Sequence, residues 1–310
     1  MFQRHPARVQ IHEVAVRDGL QIEPRFLPTA EKIRLIDRLS RTGLAKIEVT
    51  SFVSPRAVPN LRDAEEVMRG IARAPGVVYA ALVPNARGCE RALAAGVDEI
   101  NLVMSASETH NLANMRMSCA ASLEQFGAVI SLARGGPVRV SGTVATAFGC
   151  PFEGEVPVSR VLWAVERYLA LGLQGIALAD TTGMANPRQV SELLSAVQAA
   201  FPQAPLTVHF HDTRHMGFAN VLAALDAGVG RFDSSLGGIG GCPFAPGASG
   251  NICTEDLVHM LEAMGVPTGV DLDALLAVAR DLPGLLGHEV AGQIIKAGKT
   301  TDLHPRPTAA

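Results

Sequence analysis

Short apolar runs alternate along the chain with longer stretches whose apolar residues fall three and four positions apart. The runs are Gln10–Val16, Lys46–Ser51, Val77–Val83, Glu99–Ser105, Val138–Ala147, Gly175–Asp180, Leu206–His211 and Arg231–Ser235. Between them, sets such as Ala30, Ile33, Ile36 and Leu39, or Val161, Val165 and Leu169, mark amphipathic helices. Gly43, Gly96, Gly172 and Gly228 stand just ahead of the next strand, where a helix ends in a left-handed cap. Repeated strand–helix units imply a parallel sheet. Eight of them, at roughly 30-residue spacing, favour closure into a barrel over an open doubly wound sheet. No G-x-G-x-x-G follows the first strand, which counts further against a nucleotide-binding sheet. The predicted fold class is α/β, a (β/α)8 TIM barrel with a short C-terminal helical extension. Residues 1–269 are assigned to the barrel. Residues 270–310 are assigned to a C-terminal helix and tail packed on it, with the helix over Asp271–Leu282, Asp271 as its N-cap, and a mobile tail rich in Pro and Thr.

Composition narrows the function classes. The 310 residues are 48% hydrophobic and 18% charged, enough for one large core and unlike a disordered chain. Lys plus Arg number 27 against 30 Asp plus Glu, a net charge of −3, which does not suit a general nucleic-acid binder. No apolar run approaches the length of a membrane-spanning helix, and Met1–Arg8 has no apolar signal core. The five cysteines, Cys89, Cys119, Cys150, Cys242 and Cys253, include no C-x-x-C pair, as expected of free thiols in a reducing compartment. The expectation is a cytoplasmic protein with no nucleic-acid or membrane partner.

In a barrel of this kind chemistry gathers at the C-terminal strand ends. After strand 1 come Arg17, Asp18, Gly19, Leu20 and Gln21; after strand 2 come Glu48 and Ser51; strand 6 ends at Asp180. Strand 7 ends in His209, Phe210, His211 and Asp212. Two residues apart, His209 and His211 put both rings on one face. They read either as packed histidines or as metal ligands, and Asp18, reachable from strand 1, favours the metal. Arg17 reads as a clamp for an anion or a developing oxyanion, or as an ion-pair partner of Glu48, and both roles can hold at once. After strand 8, six glycines in residues 237–250 suit a hinged lid or a plain connection, with Cys242 set between Gly241 and Pro243 away from any core stripe.

These motifs together resemble one family. Arg17-Asp18-Gly19-Leu20-Gln21, Glu48 to Pro55, His209-x-His211-Asp212-Thr213 and Gly241-Cys242-Pro243 through Asn251 resemble the 3-hydroxy-3-methylglutaryl-CoA lyases, metallolyases of the TIM-barrel type. The likeness runs from about Gln10 to Gly265, the whole barrel. It implies Mg2+ or Mn2+ held by Asp18, His209, His211 and Asn251, a hard nitrogen and oxygen set. Cys242 is not expected as a ligand, since a thiolate would favour zinc, and Asn251 with the Cys-bearing lid counts against an Fe(II) oxygenase site. The implied reaction is retro-Claisen cleavage of 3-hydroxy-3-methylglutaryl-CoA to acetoacetate and acetyl-CoA. The hydroxyl and distal carboxylate of the substrate would chelate the ion. Arg17 would stabilise the enolate oxygen, and Cys242 would protonate the enolate carbon. Asp18, Glu48, His209 or a water on the metal each remain candidates for the base. Gln21, Ser51, Thr143 and Asp180 are implied substrate contacts, and Glu255 a support behind the ligands. A homodimer is expected.

Pro24, Ser141, Thr143, Ala145 and Ala177 depart from the family pattern, which carries Lys, Arg, Tyr, Ser and Ser there. Losing charge and bulk on one side of the mouth points to a related substrate as the alternative, citramalyl-CoA, which would yield pyruvate and acetyl-CoA. An isopropylmalate-type synthase is disfavoured, because only about 40 residues follow the barrel and those synthases usually carry a large regulatory domain. An aldolase acting on a 2-oxo acid, and a non-catalytic acyl-CoA-binding barrel, are the more distant readings.

Overall fold

The structure, a computed structural model, describes residues 6–241 and 250–305. Eight parallel strands close into a barrel in sequence order: β1 (Gln10–Glu13), β2 (Lys46–Ser51), β3 (Val78–Leu82), β4 (Glu99–Ser105), β5 (Arg139–Ala145), β6 (Ile176–Asp180), β7 (Leu206–Phe210) and β8 (Arg231–Ser234). β8 pairs back onto β1 with Ile11 opposite Phe232 and Glu13 opposite Ser234. Helices cover the outside, and the apolar core lies between them and the strands, with Phe126, Tyr168, Phe210 and Phe232 fully enclosed. No helix among the described residues is long and apolar enough to cross a membrane.

Two boundaries differ from the sequence expectation. The first strand does not run to Val16. It stops at Glu13, whose carboxylate turns back to accept the Ala15 N–H at 2.8 Å, and Ala15–Gly19 coils into a π-helical turn. The N–H groups of Arg17, Asp18 and Gly19 all face the carbonyl of Val14. This turn carries Arg17 and Asp18 over the barrel mouth. Nor is Asp271–Leu282 one helix. Asp271 does cap Leu272–Ala279 by accepting the Ala274 N–H, but Pro283 has no N–H to continue the ladder, and a separate short helix, Leu282–Leu286, follows. Both helices bury leucines in the barrel's own apolar core.

The inward side of the barrel is unusually polar for this fold, whose interior is mostly branched apolar side chains. His12, Lys46, Glu99, Asn101, Ser141 and Asp233 border an interior space of about 40 Å3. Lys46 Nζ meets Glu99 Oε1 at 2.5 Å, and Ser141 donates to the same oxygen at 2.8 Å. Glu13 forms the seam between the ends of the barrel. Its carboxylate accepts the N–H groups of Ala15 and Leu236 and the Thr254 hydroxyl, at 2.8–2.9 Å. Burial pushes it up to about 7 in spite of those donors.

Packing outside the strands leaves little slack. A methyl group added at Gly142 on β5 would lie 2.6 Å from the Tyr168 ring and 2.5 Å from Leu173. Gly127, in the helix Cys119–Ala133, has nothing within 4 Å of such a methyl. Gly142→Ala is expected to cost about 1–3 kcal/mol through overpacking, whereas Gly127→Ala should gain about 0.5–1 kcal/mol. Urea midpoints at unchanged m-value check both, and a neutral Gly142→Ala would show that Tyr168 can yield.

Candidate functional site

Asp18 sits at the centre of the mouth with 6% of its surface exposed. Its Oδ1 accepts from Arg17 Nη1 at 2.7 Å and from Gln21 Nε2 at 2.8 Å, and its Oδ2 accepts from Asn251 Nδ2 at 2.7 Å. Arg17 reaches sideways to Glu48, with Nε and Nη2 at 2.6 and 2.5 Å from Oε2. Glu48 Oε1 accepts from Asn101 Nδ2 at 2.9 Å, and Asn101 Oδ1 accepts from the Thr143 hydroxyl at 2.9 Å. One polar chain therefore joins the turn after β1 to β2, β4 and β5. Gln21 also donates to the Gly241 carbonyl at 3.3 Å. Close backbone approach is needed here: a methyl on Gly240, at φ +119, would lie 2.5 Å from Asn251 Nδ2 and 3.1 Å from Asp18 Oδ2.

The two histidines of β7 and its end stand as their spacing requires, ring centroids 5.1 Å apart. Donor atoms of Asp18, His209 and His211 all lie within 4.8 Å of one another. Asn251 is brought to His211 by backbone pairing across the loop after β8. Its amide can be oriented only one way, because its nitrogen faces two acceptors, Asp18 Oδ2 and the Ile239 carbonyl at 3.0 Å. Among the described residues, Asn251 Oδ1 and His211 Nδ1 are buried with no hydrogen-bond partner. Unpaired buried acceptors are costly, and a cation among these four side chains would satisfy them. The residues thus fit a divalent metal ion. His209 Nδ1 faces Asp233 Oδ2 at 3.4 Å, while Asp233 Oδ1 takes His12 Nδ1 at 3.0 Å. A carboxylate behind a ligating imidazole fixes its tautomer and leaves Nε2 for the ion.

The electrostatics follow from this crowding. Burial opposes ionisation of Asp18, but Arg17 and the two imidazoles outweigh it and hold the carboxyl below its ordinary value. Asp233 is likewise held low by its two histidines against burial. Burial alone would push His209 down, yet Asp233 and Asp18 keep it above the usual imidazole value. His211, buried and facing His209 with no carboxylate behind it, falls to about 3. Two imidazoles this close are not both cationic, and a neutral His211 has a ring nitrogen lone pair free to ligate.

A cavity of about 630 Å3 opens beside these groups. Arg17, Asp18, Gln21, Ser51, Thr143, His209 and His211 all line it, as the sequence suggested. Asp180 does not. It is fully buried, and its carboxylate is spent on the N–H groups of Met184 and Ala185 at 2.8 and 3.1 Å, so it shapes the loop after β6 rather than facing a substrate. Glu255 is buried behind the ligands and accepts the Gly237 N–H, through which it anchors the segment leading to Ile239. Cys242 lies outside the described residues. Sequence reasoning missed Asp233 and Asn101. Both could have been found by asking which polar residues share the inward face of their strand with His209 and Glu48.

The chain matches known proteins along nearly its full length. The family model described as HMGL-like covers residues 8–282. Hydroxymethylglutaryl-CoA lyase YngG of Bacillus subtilis is 46% identical over 297 residues, covering 96% of this chain and 99% of that protein. The mitochondrial hydroxymethylglutaryl-CoA lyase of Gallus gallus is 44% identical, covering 94% and 98%. Among solved structures, an HMG-CoA lyase from Acinetobacter baumannii in complex with coenzyme A and 3-methylmalate superposes with TM-score 0.94 at 55% identity, over 97% of this chain and 98% of that one. The Bacillus subtilis HMG-CoA lyase gives 0.92 at 45%, over 95% and 99%.

Asp233 offers a test of the site independent of turnover. Asp233→Asn is expected to weaken Mn2+ binding about 10–100-fold, the usual effect of removing a carboxylate behind a ligating histidine. Titration calorimetry on the purified protein measures this. An unchanged Kd would confine Asp233 to barrel packing.

Proposed function

The chain belongs to the HMGL-like family, carbon–carbon lyases, and on that premise we propose that it cleaves 3-hydroxy-3-methylglutaryl-CoA to acetoacetate and acetyl-CoA with Mg2+ or Mn2+ at Asp18, His209, His211 and Asn251. The observation that carries this reading is the meeting of Arg17 with the buried Asp18, His209 and His211 cluster at one wall of a cavity large enough for an acyl thioester. Hard oxygen and imidazole donors suit these two ions. When bound, the ion supplies Lewis acidity that lowers the pKa of the substrate's C3 hydroxyl and holds it beside the distal carboxylate.

The protein's own groups do the rest. A base, Asp18 or His209 of the cluster, takes the C3 hydroxyl proton; C3 becomes the ketone carbon of acetoacetate as the C2–C3 bond breaks, and that bond's electron pair passes into the thioester as an enolate. Arg17 is placed to stabilise the enolate oxygen, since its guanidinium is held rigid by two carboxylates in a nearly dry setting. Glu48 spends one oxygen on Arg17 and the other on Asn101, which suits it to aiming the guanidinium rather than to moving a proton. The enolate carbon then takes a proton, a role we assign to Cys242 on its Gly-Cys-Pro setting in the sequence.

A second reading has its own support. The mouth and interior carry small side chains at Ser141, Thr143, Ala145 and Ala177. The relative at 55% identity was solved with coenzyme A and 3-methylmalate, a hydroxy diacid with a shorter backbone than hydroxymethylglutarate. Citramalyl-CoA, cleaved to pyruvate and acetyl-CoA, shares that four-carbon diacid backbone, with the methyl on the carbinol carbon where 3-methylmalate has it on the neighbouring carbon.

Acetyl-CoA release from the two thioesters, followed with and without metal, tests the proposal. Chelation should abolish cleavage and Mg2+ or Mn2+ restore it; full activity in a verified metal-free preparation would overturn the mechanism. With neither thioester cleaved in the presence of metal, the non-catalytic acyl-CoA-binding reading would stand. Arg17→Gln should lower kcat by about 10²–10³-fold with Mn2+ binding retained, the scale of losing an oxyanion donor. Cys242→Ser should fold normally, lose most activity and resist inactivation by thiol reagents. If alkylation at Cys253 or Cys150 proved responsible for inactivation of the wild type, the assignment of Cys242 would fail.

A further inference from the structure

We propose that His12, on the first strand, is a positioning residue for the metal site: it anchors Asp233 so that the carboxylate keeps His209 in the orientation that offers Nε2 to the ion. The inference rests on the metal site of the lyase reading and adds a group one step further behind its ligands. Strand register places the residues. His209 on β7 is opposite Asp233 on β8, Asp233 is opposite His12 on β1, and His12 is opposite Lys46 on β2. Side chains paired in this way share one face of the sheet, here the inward face, so the four stand in a row. His12 is buried, and its Nδ1 lies 3.0 Å from Asp233 Oδ1, while His209 Nδ1 lies 3.4 Å from Oδ2. The two imidazoles divide one carboxylate, an oxygen each. The tighter contact belongs to His12, which is not a ligand.

An ionised carboxylate only accepts hydrogen bonds, so both ring nitrogens that face Asp233 carry hydrogen. For His209 that leaves Nε2 as the bare nitrogen. Without His12, Asp233 would keep one oxygen in a largely dry setting with no donor, and such a group is drawn toward whatever donor it can reach. The next cation along the row is Lys46, one strand past His12 and on the border of the same interior space. An ammonium has three donors, and Glu99 takes one of those on Lys46. A carboxylate rotated toward Lys46 would let go of His209, whose hydrogen bond is already the longer of the two. His12 stands between the two charges as a neutral spacer: burial, with Lys46 beside it, outweighs Asp233 and holds its ring below the usual imidazole value. It gives Oδ1 a partner and keeps Lys46 from taking that place.

Calorimetric titration of Mn2+ into the purified full-length protein reads the effect without turnover. His12→Leu removes the donor at similar volume and should weaken Mn2+ binding about 10-fold, the lower end of what losing a group behind a ligand costs. His12→Asn should keep binding close to wild type, because an Asn side-chain N–H falls where Nδ1 stood. Since His12 acts through Asp233, His12→Leu should add no further loss in an Asp233→Asn protein, a non-additivity that the cycle of four proteins measures. His12→Phe carries the same comparisons if His12→Leu does not fold, as judged by circular dichroism and the urea midpoint. An unchanged Kd in the folded His12→Leu or His12→Phe protein overturns the role of His12. So does an equal loss in His12→Asn, or the full loss repeated in the Asp233→Asn background. In each of those cases the wild type still binds Mn2+ and the lyase reading stands. A wild type that binds no Mn2+ overturns the metal site and this inference with it.

Discussion

An ionised carboxylate kept almost dry is the constraint around which the mouth is arranged. Removing Asp18 from water is costly unless opposite charge and hydrogen bonds replace the lost solvent. Arg17, Gln21 and Asn251 do so by direct contact, and the two imidazoles by their field. The five compensating groups come from three places: Arg17 and Gln21 from the segment after β1, the two imidazoles from the end of β7, and Asn251 from the segment after β8. Satisfying one charge thus ties together the ends of strands that barrel closure already sets side by side. The arrangement leaves Asn251 Oδ1 and His211 Nδ1 without a partner among the described residues, as a site that fits a cation would.

The polarity of the barrel interior has the same origin. Glu48 must aim Arg17, Asn101 must hold Glu48, and Asp233 must orient His209. Each added polar group needs a partner of its own, and deeper in the barrel a separate set, Lys46, Glu99 and Ser141, is paired within itself. A barrel that supports a charged mouth in this way gives up part of the apolar filling that usually stabilises the fold, and the outer layer of helices carries the hydrophobic burial instead.

The barrel was legible in the sequence because its outward faces are apolar and its helices amphipathic. Spacing alone placed His209 and His211 on one face, and the strand-1 motif placed Arg17 and Asp18 near them. Asn251 as a ligand came only through the family resemblance, since nothing in a Gly-rich loop says which residue folds back. Two errors have clear physical causes. The apolar run Val14, Ala15 and Val16 looks like strand, but a side chain within the strand, Glu13, captures the Ala15 N–H and turns the chain. Asp180 stands at a strand end, as a substrate contact should, but adjacent backbone amides claim both its oxygens. Asp233 went unseen because β8 reads Arg, Phe, Asp, Ser, and a simple polarity pattern turns Phe232 inward and the charges to solvent. In this barrel the reverse holds, because helices cover the outside.

The seam at Glu13 has a consequence for the life of the chain before it is complete. Asp18 and Asn251 are separated by 233 positions, and Glu13 finds its last partner only at Thr254. At ribosomal speeds of about 5–20 residues per second, roughly 10–50 s pass between the synthesis of the two ends of the site. Throughout that interval the first strand is in being while both its neighbour β8 and the Asn251 donor are missing. A nascent chain that ends before Asn251 therefore cannot present all four side chains proposed to hold the ion. A chain cut short before its last strand is left with an open edge at β1 and with Glu13 short of its Leu236 and Thr254 donors.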